Sequence, residues 1–125
     1  MGDERLARRA DNTDSVIYHN PRCSTSRKTL ELLRDNGIEP IVVQYLKTPP
    51  SRDELVKLIN DAGIDVRTAV RKREPLYAEL NLDDADDDAL LDALVQHPIL
   101  IERPFVVTPR GTRLARPLDS VREIL

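Results

Sequence analysis

The chain has one cysteine, no tryptophan, one phenylalanine and only four glycines in 125 residues. A lone cysteine, Cys23, excludes an internal disulfide and fits a reducing cytoplasm. Aromatics make up 3% and apolar residues 40%, so Leu, Ile and Val must fill most of a core. The net charge of −3 offers no bulk attraction to nucleic acid. No apolar run is long enough to span a bilayer, so no membrane association is expected. The opening "MGDERLARRADNTD" has no apolar centre and is not a secretory signal. Myristoylation would want Ser or Thr where Leu6 stands. Residues 1–14 read as a charged, mobile tail, and residues 15–125 as a single domain.

What is present is well punctuated. "SVIYH" (15–19) predicts a first strand, and Asn20-Pro21 breaks it. "STSRKTLELLRDNG" predicts a helix with Leu30 and Leu33 inward and Gly37 just past its end. "EPIVVQYL" (39–46) predicts a buried strand, and strand–helix–strand implies a right-handed unit with parallel strands. Ser51 and Glu54 have capping-box spacing for a helix that stops at Gly63. "IDVRTAVRKREP" predicts a short helix ending before Pro75, and "LYAELNL" a further turn. The acids of "DDADDDALLDALVQHP" sit where a helix dipole favours them, as a solvated helix start. "PILIERPFVVTPRGTRLARP" reads as strand, Gly-containing hairpin turn, strand. "LDSVREIL" predicts a terminal helix with Leu118, Val121 and Leu125 inward. This order matches an α/β, thioredoxin-like mixed β-sheet flanked by helices, with a helical insertion after the second strand.

Cys23 stands between a strand-ending turn and the first helical turn. Taken alone, a single cytoplasmic cysteine is a candidate small core residue. Its position argues otherwise, because free N–H groups and the helix dipole there favour the thiolate. An unperturbed thiol with a pKa of ~8.5 is only about 3% thiolate at pH 7, so cations or donors must assist. Arg22, His19 and distant arginines can do so, while Arg27 and Lys28 raise the local potential. In "CSTS", Ser26 stands where a dithiol redox protein would carry its second thiol, so an external thiol must resolve Cys23. A cysteine-phosphatase loop needs Arg six residues on, and Thr29 is there. The two His and one Cys do not form a zinc set, so no metal is expected. His97, before Pro98, reads as structural.

"HNPRCSTSR", with the later "ERP" and "RLARP", closely resembles the glutaredoxin-dependent arsenate reductase family (ArsC type), and the likeness spans about residues 15–125. The resemblance implies a catalytic Cys23, oxyanion-binding arginines at Arg71, Arg103 and Arg116, thiolate support from His19 and Ser26, and a cis-proline at Pro104. It implies reduction of arsenate to arsenite through a Cys–arsenic adduct. That adduct would be resolved by glutathione, or another low-molecular-weight thiol, and then by glutaredoxin. No bound cofactor is expected, and the chain is expected to act as a monomer. Arginine suits such chemistry, because its planar fork gives a tetrahedral oxyanion two parallel hydrogen bonds. Without the resemblance, Arg71, Arg103 and Arg116 would read as surface positions. Two features depart from some members: Ser24 stands where some carry Gly, and the chain ends at Leu125, where longer members carry an additional tail. Two other activities fit the same fold. One is an Spx-type regulator that binds RNA polymerase, whose usual Cys-x-x-Cys switch Ser26 denies. The other is a monothiol disulfide-exchange enzyme, which would not need Arg103 or Arg116.

Overall fold

In the computed structural model, residues 14–125 are described, so the tail expected over 1–14 lies outside them apart from Asp14. Two compact units are present: residues 14–44 with Arg103–Leu125, and the intervening Tyr45–Glu102. The first unit carries a four-stranded sheet of β1 (Val16–His19), β2 (Ile41–Gln44), β3 (Phe105–Thr108) and β4 (Gly111–Leu114), in the order β2-β1-β3-β4. β1 and β2 are parallel, with Val16 opposite Ile41. The other pairs are antiparallel, with Ile17 opposite Val106 and Val106 opposite Arg113. This is the mixed thioredoxin-like sheet.

Helix α1 (Ser24–Asp35) packs on the sheet with the C-terminal segment. Ile17, Leu33, Val106, Ala115, Val121 and Ile124 form a core that water does not reach. Gly37, at φ +77°, ends α1. Its N–H bonds the Arg34 carbonyl at 3.0 Å and the next N–H, of Ile38, bonds that of Leu33 at 2.9 Å. The left-handed turn this requires is one glycine adopts without a Cβ penalty.

Several expectations are corrected. The apolar run over 39–46 is strand only over Ile41–Gln44, and it is exposed rather than buried, with Ile41 at 46% and Val42 at 37%. β2 is the sheet edge and has only β1 beside it among the described residues, a placement set by strand order rather than by local hydropathy. Residues 98–101 form a 3₁₀ turn over Pro98–Leu100 instead of a strand, and β3 begins only at Phe105. Pro98 and Pro104 both lack an N–H to give to a ladder. The C-terminal helix is 3₁₀ over Leu118–Ile124. Three residues per turn aligns 118, 121 and 124, so Ile124 is the fully buried residue and Leu125 only half-buried.

The second unit is helical, as the expected insertion is. Helix α2 (Arg52–Asp61) buries Leu55, Leu58 and Ile59, and α4 (Asp87–Gln96) buries Leu90, Leu91 and Leu94. The Arg52 guanidinium bonds both Asp88 and Asp92 and so ties the two helices together. The segment expected as helix before Pro75 is only a 3₁₀ turn, Arg67–Ala69. Val70 then extends to pair with Ile101, which takes its backbone out of the helical region. Pro75 opens α3 (Pro75–Glu79) at its first turn, where the missing N–H costs nothing. The capping box of α2 is complete: Ser51 Oγ accepts from the Glu54 N–H at 3.2 Å, and Glu54 Oε1 accepts from the Ser51 N–H at 3.3 Å. Ser51→Ala is expected to cost about 1 kcal/mol and lower the melting temperature by a few degrees, read by thermal unfolding. An unchanged melting curve would show that the cap contributes nothing.

Candidate active site

The site is built on the turn between β1 and α1. Asn20, 5% exposed, closes that turn with three bonds. Its carbonyl accepts from the Cys23 N–H at 3.0 Å, its Oδ1 accepts from the Arg22 N–H at 3.0 Å, and its own N–H donates to Ser26 Oγ at 3.1 Å. Asn20 is the functional residue that local reading missed. The available signal was Asn before Pro, a pair suited to a turn in which the side chain bonds the backbone two residues on.

Cys23 is the N-cap residue of α1 and is partly exposed. Its thiol lies below the usual cysteine range. Burial pushes the thiol up. That is outweighed by the Ser26 N–H, the Arg116 charge, the Thr25 N–H and the Arg103 charge, in that order. The sulfur makes no full capping bond, yet these first-turn N–H groups are near enough to stabilise its negative charge. Arg116 Nη2 donates to Cys23 Sγ at 3.7 Å, and Arg116 Nε donates to the Arg103 carbonyl at 3.0 Å, which aims the fork. Arg103 is 5% exposed. The Arg103–Pro104 peptide bond is cis, and so is Arg116–Pro117, which the sequence did not suggest. The Pro104 carbonyl accepts from the Ala115 N–H at 2.9 Å, holding the start of β3 beside the end of β4.

Ser26 is fully buried and its hydroxyl lies 2.7 Å from His19 Nδ1. The Ser26 hydroxyl accepts from Asn20 and is free to donate its own proton to Nδ1, and we assign it so, with a neutral ring protonated at Nε2. Burial lowers the His19 pKa, and the charges of Arg34 and Arg27 lower it further, which favours a neutral ring. Ser26 therefore reaches the thiol through its backbone N–H, while its side chain anchors His19. A ring neutral in the fold but free to protonate when unfolded contributes stability that is complete above about pH 6.5 and is lost as pH falls toward the lowered value. Thermal unfolding from pH 7 downward should show this loss, and His19→Asn should reduce it. Equal pH slopes for the two proteins would exclude His19 as its source.

Arg71 belongs to the second unit. Its N–H donates to the Leu100 carbonyl at 2.7 Å, and its guanidinium bonds Glu74 at 3.2 Å and Glu102 at 3.4 Å. His97, between α4 and the following 3₁₀ turn, makes backbone bonds to Ala93 and Leu100. Arg27 turns its Nη1 to the Pro21 carbonyl at 2.9 Å. Among the described residues no three His, Cys, Asp or Glu side chains group as a metal ion would need, and no helix is long and apolar enough to cross a membrane.

A thiol lowered in pKa at a helix start, with two guanidinium groups beside it, is equipped to attack an anionic electrophile. An arsenate reductase of Escherichia coli is 60% identical over 112 residues, covering 88% of this chain and 79% of that protein. The uncharacterized protein YfgD of Escherichia coli is 48% identical over 112 residues, covering 87% and 94%. The structure of an arsenate reductase from Vibrio cholerae superposes with a TM-score of 0.84 at 52% identity, covering 89% of this chain and 97% of that one. The ArsC family pattern matches residues 18–124, and the chain belongs to the ArsC family.

Proposed function

We propose that the protein reduces arsenate to arsenite, with Cys23 as nucleophile. The observation that carries this reading is the Arg116 fork at 3.7 Å from Cys23 Sγ, with Arg103 as a second cation at the same sulfur. Two guanidinium groups bind an oxyanion, offset its repulsion by the thiolate, and keep that thiolate ionised. The identity to arsenate reductases over most of the chain supports the same substrate.

The thiolate attacks arsenic, an As–S bond forms, and one oxygen leaves as water. Glutathione condenses with the adduct and releases a second water. A glutaredoxin thiolate then takes the glutathionyl sulfur as a mixed disulfide. The electron pair of that As–S bond stays on arsenic, which becomes As(III). Hydrolysis frees arsenite and restores the Cys23 thiolate. The balance is one arsenate reduced by two electrons and two thiols oxidised to one disulfide. Ser26 in place of a second cysteine makes the external thiol necessary. The lone cysteine, with no internal partner for a disulfide, supports a reducing cytoplasmic setting, and in this reading the protein acts as a monomer. The test is arsenite formation by the purified protein with arsenate, glutathione and glutaredoxin. Steady turnover is expected, and no arsenite above the protein-free rate would overturn the proposal.

A further inference from the structure

Along one side α1 carries exposed Arg27, Glu31, Arg34 and Asp35, with half-buried Leu30 between them at the margin of the core. With His19 and Pro21 this stripe lines a groove of about 460 Å³, within the ~300–1,000 Å³ typical of ligand sites. His19 and Pro21 belong to the turn that presents Cys23, so the groove starts at the reactive loop. Its charge pattern is balanced, with two guanidinium groups and two carboxylates. Much of that bonding capacity is unused among the described residues. Glu31 and Asp35 make no ion pair, Arg34 bonds Glu39 through Nε alone, and Arg27 uses only Nη1. His19 spends Nδ1 on Ser26, which leaves the Nε2–H to donate.

We propose that this groove binds glutathione. The inference rests on the reading above, in which glutathione is the co-substrate. A γ-glutamyl tripeptide carries two carboxylates and one ammonium around a short, mostly apolar backbone. Arg27 and Arg34 match the carboxylates, with the His19 Nε2–H as a further donor, and Glu31 or Asp35 matches the ammonium. Leu30 and Pro21 give the apolar floor. The thiol of a ligand lying here belongs to a molecule already held beside the Cys23 turn.

S-methylglutathione, whose sulfur cannot react, separates binding from turnover. Titration of the full-length protein should give saturable binding, and S-methylcysteine, lacking both outer arms, should bind at least 10-fold more weakly. Arg27→Gln and Arg34→Gln alter exposed side chains, and together they should weaken S-methylglutathione binding about 10-fold. In the arsenate assay the pair should raise the KM for glutathione by a similar factor and leave the KM for arsenate within 2-fold. Arsenate turnover by the unaltered protein without S-methylglutathione binding would overturn the groove assignment and leave the arsenate reading standing. Binding that both substitutions leave unchanged would also overturn it. Binding that weakens as described, in a protein inert toward arsenate, would keep the groove and remove the arsenate reading.

Discussion

Cys23→Ser is expected to abolish arsenite formation, with a loss of at least about 10³-fold, while the protein keeps its melting temperature or gains a little. The loss follows because a serine hydroxyl is not ionised near neutral pH and nothing in the site can take its proton. His19 has Nδ1 committed to Ser26. The gain follows from the same atoms. Cys23 occupies the N-cap position of α1 but makes no full side-chain capping bond. Serine is a preferred N-cap whose oxygen accepts from the second or third N–H, here Thr25 and Ser26. Those are the N–H groups that steady the thiolate. Activity and melting temperature should therefore move in opposite directions. A variant that lost activity through misfolding would lower both. Retained arsenite formation at comparable rates would sink Cys23 as nucleophile.

Arg116→Ala should produce the second large effect, a fall in kcat/KM for arsenate of roughly 10²-fold, typical of removing one donor from a charge-stabilising site. It should also raise the Cys23 pKa, read as the pH midpoint of iodoacetamide alkylation. The sign is fixed by the site: Arg116 favours the thiolate, so without it the thiol holds its proton to higher pH and alkylation below the midpoint slows. Arg116→Lys tells the two contributions apart. Lysine keeps the charge, so the alkylation midpoint should return most of the way. It lacks the fork that both meets the sulfur and bonds the Arg103 carbonyl, so arsenate turnover should recover only in part. An alkylation midpoint unmoved in Arg116→Ala would remove Arg116 from the thiol's surroundings.

The turn and its helix were legible because their signals are local. Asn20-Pro21 ends a strand, Gly37 ends a helix, and Cys23 falls between them within a few residues. Arg103 and Arg116 carry no such signal. Each is one arginine before a proline, 80 and 93 residues beyond the cysteine, and only a resemblance linked them to it. Two of the errors have a tertiary cause. β2 looks buried by composition, but strand order makes it an edge. Val70 looks helical, but its partner Ile101 makes it extended. Leu125 reads as inward at a period of 3.6, but the segment turns every three residues and buries Ile124 instead.

Arg116 is anchored to the main-chain carbonyl of residue 103, not to that residue's guanidinium. Any amino acid at position 103 presents the same carbonyl. The two cations are thus mounted separately, and a change of side chain at 103 leaves the mount for Arg116 in place. Damage at 103 should remain local, whereas damage to the backbone there would misdirect both charges together. The vulnerable part of this site is the path of the chain through residues 103–104 more than either guanidinium.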